Sequence, residues 1–115
     1  MKNKIAATAS WEAQYRRLCS GLAKTGYISQ GSVLDRSRLR PLRSGYQWTR
    51  KLARKTITVA LSPEQFHALN EAIQNRRKLQ KTLIKMERLS RQILFKSLPD
   101  TRRRKPLPRN VLGLI

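Results

Sequence analysis

One long segment without helix-breaking residues constrains this chain more than any other feature. Residues 62–97 contain no glycine, and their single proline, Pro63, stands where a first helical turn would be, a position that tolerates proline. Ser62 and Gln65 have the spacing of a capping box at that start. Apolar side chains then recur mostly three and four residues apart, which predicts an amphipathic helix over 62–97. They are Phe66, Leu69, Ile73, Leu79, Leu83, Met86, Leu89 and Ile93.

A polar run interrupts this apolar stripe at residues 75–78. A bend in one helix and a helical hairpin that turns near Asn75 both fit the interruption, although no glycine supports a turn there. The sequence leaves this choice open.

The preceding residues favour one further helix and three strands. Ser10 is a candidate N-cap for the first helix. Period-2 alternation on both sides of residues 52–54 predicts a β-hairpin, but this connection lacks glycine and asparagine, so the turn type is open. The predicted elements are a helix over 9–24, strands over 27–34, 45–51 and 55–61, and the helix over 62–97.

These elements predict an α+β fold, with a small antiparallel sheet between a short N-terminal helix and a long C-terminal helix. We expect one domain over 9–97, preceded by an N-terminal arm at 1–8. Residues 98–115 contain three prolines and a basic cluster, which predicts a tail.

The charge balance indicates the class of partner. Lys and Arg number 26 against 6 Asp and Glu, giving a formal net charge of +20 on 115 residues. Such self-repulsion destabilises a compact state unless a polyanion binds or the charge is spread along an elongated shape. Phosphate backbones are the commonest polyanions in cells, so nucleic acid, DNA or RNA, is the expected partner.

Composition argues against catalysis, metals and membranes. The chain has one cysteine, Cys19, and one histidine, His67, so we expect no disulfide, metal or cofactor. Its six acids are scattered along the sequence, whereas a two-metal site needs clustered carboxylates, and we therefore predict no enzymatic activity. No apolar run spans a bilayer, so the protein is expected in the cytoplasm, with no membrane partner. Cys19 is predicted to pack within the first helix.

Three basic groups are candidate nucleic-acid-binding sites, because guanidinium and ammonium groups pair with phosphates and aromatic rings stack on unpaired bases. The loop-and-hairpin group is Arg36, Arg38, Arg40, Arg43, Trp48, Arg50, Lys51, Arg54 and Lys55. The helix group is Arg76, Arg77, Lys81, Lys85 and Arg88. The tail group is Arg102, Arg103, Arg104 and Lys105.

Each group also has a plainer interpretation. Tyr46 and Trp48 fit a role as core residues packed on the long helix, and Asn75 fits a plain polar position as well as a base contact. The helix cations fit a solvated face, although like charges four residues apart destabilise a helix unless an external anion relieves them. The basic tail fits an unstructured, solubilising end.

Parts of the segment from Gly31 to Ile93 resemble a family of small uncharacterised proteins encoded beside transposases in bacterial mobile elements. The matching residues are Gly31, Ser32 and Val33, then 45–51, 55–59, 61–65 and 72–79, with Met86 and Ser90. Many relatives carry a Cys-Gly-Lys and further cysteines, similar to a metal knuckle, between the first two of these matches. Residues 35–44 contain no cysteine, so the resemblance implies a genomic setting and no metal site.

Together these features predict a non-enzymatic, nucleic-acid-binding accessory protein of a mobile element, with a transposase or a ribonucleoprotein as a further candidate partner. The alternative is a protein–protein interaction or dimerisation module. In it Leu79, Leu83, Met86, Leu89 and Ile93 of the long helix would pair with a transposase or a second copy. A basic amphipathic surface that binds membranes is a third, weaker hypothesis.

Overall fold

The computed structural model describes residues 2–39, 41, 43–102 and 105–113, and for 2–7 it describes the backbone. The order of elements is α1 (Lys2–Leu22), β1 (Ser32–Asp35), a short 3-10 helix (Arg36–Arg38), β2 (Tyr46–Leu52), β3 (Lys55–Leu61) and α2 (Pro63–Ser97). The three strands form one antiparallel sheet in the order β1-β2-β3. The predicted α+β class is confirmed.

The chain divides into two compact units, which are described separately. The first contains the described residues of 1–24 and 80–115, and the second is Thr25–Leu79. Helix α2 contributes to both. The prediction of one domain over 9–97 stays a prediction.

Helix α1 begins at Lys2, seven residues before the predicted start, and ends at Leu22. Alanines at 6, 7 and 9 are strong helix formers, so the helix continues through the expected N-terminal arm. Ser10 lies inside the helix and is therefore not its N-cap, and Cys19, which we predicted to be packed, is exposed.

Strand β1 is shorter than predicted, because residues 27–30 do not pair with the sheet. The Ser29 N–H donates to the carbonyl oxygen of Ala72 on α2 at 3.2 Å. The Gln30 carbonyl oxygen accepts a hydrogen bond from the Trp48 indole at 3.0 Å. Gly31 then turns the chain into β1 with a φ of +105°, a conformation that glycine adopts without strain.

The predicted hairpin is confirmed within one residue at each boundary. Strands β2 and β3 pair along their whole length, from Tyr46 opposite Leu61 to Leu52 opposite Lys55. Ala53 and Arg54 form the two-residue connection with φ values of 49° and 69°. Positive φ at both positions is the signature of a type I′ turn, whose twist matches that of paired strands.

The start of α2 has the predicted capping box. The Gln65 N–H donates to Ser62 Oγ at 3.1 Å, and the Ser62 N–H donates to Gln65 Oε1 at 3.0 Å. The helix continues without a break through residues 75–78 to Ser97, which excludes the helical hairpin. Its inner face supplies the small core of each unit, Ala72 and Ile73 in the second and Met86 and Leu89 in the first.

Candidate nucleic-acid interface

The tip of the β2–β3 hairpin forms an exposed cationic element of the second unit. Strand β1 pairs with β2 only as far as Ser32 opposite Thr49. Residues 50–57, here called the hairpin ribbon, therefore consist of two strands and the turn, and every residue from 51 to 56 is exposed. The ribbon contains no acid, and its four cations are Arg50, Lys51, Arg54 and Lys55.

The register distributes these cations over both faces and the end of the hairpin ribbon. Residues directly opposite one another share a face, and neighbours along a strand point to opposite faces. Arg50 and Lys55 therefore share one face, Lys51 lies on the other, and Arg54 lies at the turn. No described acidic side chain forms an ion pair with any of the four. The ribbon thus presents unneutralised cations in three directions.

The two aromatic residues of β2 are already engaged inside the second unit. The Tyr46 ring stacks on Phe66 of α2 with centroids 4.3 Å apart, so it packs on the long helix as the plainer interpretation expects, although the residue is half-buried and not part of the buried core. Trp48 is half-buried, and besides its bond to Gln30 it carries the Arg50 guanidinium 5.7 Å from its ring centroid. Arg50 is thereby held near the base of the ribbon by a cation–π contact.

Some polar groups of the basic loop after β1 are already hydrogen-bonded within the second unit. Arg36 Nε donates to Gln47 Oε1 at 3.3 Å, and the Arg36 backbone bonds to Gly45 and Arg43. Arg36 is therefore half-buried and orients the loop, whereas Arg38 and Arg43 are exposed and face solvent. Arg40 lies outside the described residues.

Asp35 caps the short 3-10 helix with its carboxylate. The Ser37 N–H donates to Asp35 Oδ1 at 3.0 Å. Hydrogen bonds from the Ser37 side chain and backbone, helped by the charge of Arg38, hold the pKa of Asp35 below its ordinary value of 3.8. The one acid beside the basic loop is therefore ionised and used in local structure.

In the second unit, α2 presents a mixture of structural and exposed polar groups. Asn75 Nδ2 donates to the carbonyl oxygen of Tyr27 at 3.0 Å, so its side chain holds the loop before β1. Arg76 is half-buried and Arg77 is exposed. This places Asn75 in a structural contact and leaves Arg77 as the freer cation of the two arginines.

The first unit contains a cationic cleft that sequence analysis found only in part. A cavity of about 460 Å³ is lined by cations from both helices, Arg17 of α1 with Lys85 and Arg88 of α2. Leu18 and the buried Leu89 are its apolar lining. No acid is among the lining residues, which also include Gln14 and Gln92. We call this set the helix-pair cleft.

Arg17 was missed because the sequence shows no basic cluster in α1. The available signal was weaker: Gln14, Arg17 and Leu18 have spacings of three and four residues, which place them on one helical face. Lys81, the remaining cation of the helix group in this unit, is exposed and does not line the cleft.

The tail of the chain returns to α2. Arg91 Nε donates to the carbonyl oxygen of Leu112, and its guanidinium also lies 3.9 Å from Glu87. Within the tail group, Arg102 and Lys105 are exposed, whereas Arg103 and Arg104 lie outside the described residues. The part of the tail around Leu112 is therefore docked rather than free.

The apolar stripe proposed for dimerisation is partly used within the first unit. Met86 and Leu89 are each 8% exposed, so neither is available to a second copy. Leu83 is 43% exposed, while Leu79 and Ile93 are half-buried. A continuous five-residue seam is not presented.

The described residues also bear on metal binding and on membrane spanning. Among them no group of three or more His, Cys, Asp or Glu side chains could hold a metal ion. His67 is exposed, with its ring edge-on to Phe66 at 5.5 Å. None of the helices in the described part of the chain has the length and apolarity that a membrane span requires.

Comparisons with protein-family models, with curated proteins and with solved structures find no match to this chain.

Proposed function

We propose that this chain binds nucleic acid through its phosphate backbone, as a non-enzymatic accessory protein. The observation that carries the proposal is the hairpin ribbon, where Lys51, Arg54 and Lys55 are exposed, Arg50 is half-buried beside Trp48, and no described acid forms an ion pair with any of the four. Cations concentrated without counter-charges repel one another, and a phosphate backbone relieves that repulsion while releasing its own counterions.

The helix-pair cleft supports the proposal independently. Arg17, Lys85 and Arg88 line it together without an acid, although they come from two separate helices. Arginine forks bind phosphate oxygens in pairs, and the adjacent glutamines supply neutral hydrogen-bond donors. The cleft thus offers a second, separate group of phosphate contacts.

The biological setting is part of the proposal and rests on the sequence resemblance. In that setting the protein holds DNA or RNA for a mobile element, beside a transposase or a ribonucleoprotein. Its role is binding and positioning, and no reaction step is assigned to it.

The test is a fluorescence-anisotropy titration of the full chain against labelled DNA and RNA over a range of salt concentrations. If six to ten phosphates are neutralised, log K falls against log salt with a slope of roughly −5 to −9. A flat salt dependence, or no binding at low salt, would overturn the proposal. Tighter binding to anionic vesicles than to any nucleic acid would favour the membrane alternative instead.

Sedimentation of the free chain tests the dimerisation alternative. We expect a monomer that binds nucleic acid, because Met86 and Leu89 are buried within one chain. A salt-resistant dimer with weak affinity for nucleic acid would favour the interaction module.

A further inference from the structure

The hairpin ribbon has a definite shape in addition to its charge. Its two strands lie about 4.8 Å apart, and the three residues from Arg50 to Leu52 extend about 10 Å at ~3.3 Å per residue. The major groove of B-form DNA is about 12 Å wide and about 8.5 Å deep. The free length of the ribbon therefore matches the depth of that groove, and its width fits between the groove walls.

The placement of its charges favours insertion of the hairpin ribbon into a groove of the nucleic acid over contact with a single phosphate backbone. A cationic element that lies across one strand needs its charges on one face. Arg50 and Lys55 are on one face of the ribbon, Lys51 is on the other, and Arg54 is at the end. Cations on both faces meet phosphates on both walls of a groove, and the cation at the end points toward its floor.

Other nucleic-acid forms fit this shape less well. The minor groove of B-form DNA is about 6 Å wide, too narrow for two strands with side chains, and the major groove of A-form RNA is too narrow for readout. Single strands are held by stacking on exposed aromatic rings. Residues 51–56 contain no aromatic residue, while Tyr46 is stacked on Phe66 and the Trp48 indole is bonded to Gln30. The 93% exposed Tyr27 lies in the loop before β1 and is not part of the hairpin ribbon.

We infer that the hairpin ribbon inserts into the major groove of double-stranded B-form DNA, with Arg54 at the groove floor and Arg50, Lys51 and Lys55 on the phosphate walls. This inference rests on the proposed function and narrows its ligand to duplex DNA. Arg54 can then reach guanine O6 and N7, the acceptors that an arginine fork pairs with in this groove.

The experiment compares three probes of one sequence: a DNA duplex, the matching RNA duplex and the DNA single strand. The full chain is titrated with each at about 0.1 M salt, where one phosphate contact contributes about 8-fold to affinity through counterion release. We expect the DNA duplex to bind at least about tenfold more tightly than the other two probes.

The variant is Arg54→Gly with Lys55→Ala, in which glycine also relieves the positive φ of residue 54 and so preserves the turn. Its charge-matched control is Arg16→Ala with Lys24→Ala, which removes one exposed Arg and one exposed Lys elsewhere. The ribbon variant should lose up to about 60-fold in affinity for the DNA duplex, and its salt slope should shrink by about two units. The control should lose less than about threefold, because its charges act only at long range.

Methylation of guanine N7 in the DNA duplex gives a further readout. It should weaken binding by the wild-type chain and leave binding by the ribbon variant unaffected. A competing minor-groove ligand should change the affinity of neither protein.

Two outcomes separate the inference from the proposed function. Equal affinity for the DNA and RNA duplexes, or a ribbon variant that binds as well as its control, overturns groove insertion while salt-dependent binding still stands. Absence of binding to all three probes at low salt overturns both.

Discussion

The side-chain amide of Asn75 donates from Nδ2 to the carbonyl oxygen of Tyr27 at 3.0 Å, across 48 residues of sequence. The same amide nitrogen lies 3.0 Å from where a Cβ on Gly26 would stand. Asn75 thus fastens the loop before β1 to the middle of the long helix. The Tyr27 side chain itself is 93% exposed, so the contact uses its backbone alone.

Replacing Asn75 by alanine should therefore act on stability and not on nucleic-acid binding. One solvent-accessible hydrogen bond of this kind contributes about 1 kcal/mol, so Asn75→Ala should lower the free energy of unfolding by about that amount. Chemical denaturation measures it, with the exposed neighbour Gln74→Ala as control. If Asn75→Ala instead retained full stability and lost affinity, Asn75 would be a base contact after all.

Gly31→Ala should destabilise the second unit by about 2 kcal/mol or more. A Cβ there would lie 2.5 Å from Trp48 Nε1 and 2.6 Å from the Thr49 carbonyl oxygen, on a backbone with φ of +105°. Gly21→Ala is the matched control, because a Cβ at Gly21 in α1 meets nothing within 4 Å. The control should be neutral or stabilising by up to about 1 kcal/mol, since alanine favours helix. Tryptophan fluorescence, measured with Trp11→Phe in both variants so that Trp48 alone emits, reports any displacement of Trp48. Two identical melting curves would contradict the packing described.

Ala53→Asn should stabilise the hairpin without changing its charge. Residue 53 has a φ of 49°, and asparagine adopts positive φ more readily than alanine does. We expect a gain of about 0.5 to 1 kcal/mol in thermal or chemical unfolding, with affinity for nucleic acid unchanged. Ala53→Val, with a β-branched side chain at the same position, should instead lower the stability. Loss of stability in the asparagine variant would argue against the type I′ turn.

Arg17→Ala should weaken nucleic-acid binding more than Arg16→Ala. The two arginines are adjacent and exposed, but only Arg17 lines the helix-pair cleft with Lys85 and Arg88. Loss of one phosphate contact should reduce the slope of log K against log salt by about one unit in the Arg17 variant alone. Equal effects of the two substitutions would mean that the cleft makes no specific contact with phosphate.

Asp35 should contribute an acid-dependent part of the stability. Its pKa is lowered in the folded chain by hydrogen bonds from Ser37, so its contribution is complete above the unfolded pKa of about 3.8. That contribution is lost as the pH falls from about 4 through the lower folded pKa, because the unfolded state takes up the proton before the folded state does. Unfolding measured across this range should show a smaller pH dependence for Asp35→Asn than for the wild-type chain. An unchanged pH profile would mean that the carboxylate gains nothing from Ser37.

Much of the secondary structure could be predicted because its signals lie within a few residues. The Ser62 and Gln65 capping box, the alternation of β2 and β3, and the three-and-four spacing in α2 each depend on neighbours along the chain. The cationic composition of the hairpin ribbon was equally visible in the sequence. Its exposure depends on the tertiary structure, because β1 pairs with β2 only as far as Thr49 and leaves residues 50–57 without a third strand.

Ser10 failed as an N-cap on a purely local signal, whereas two other failed predictions involve contacts between distant residues. Tyr27 and Ile28 are strand-forming residue types, yet the backbone of residues 27–30 bonds to the Ala72 carbonyl and to the side chains of Asn75 and Trp48 instead of to the backbone of a strand. The interpretation of Cys19 as a packed residue failed for a related reason, since helix periodicity does not say which face meets a neighbour.

The sequence by itself determined helix α2 and the hairpin, because hydrogen bonds in helices and tight turns join residues that are close along the chain. It also determined the excess of positive charge that makes a polyanion the expected partner. Only the tertiary structure decided which apolar residues of α2 are buried and that Arg17 joins Lys85 and Arg88 around one cleft. Such arrangements depend on which surfaces meet in space, and no local pattern of residues encodes that choice.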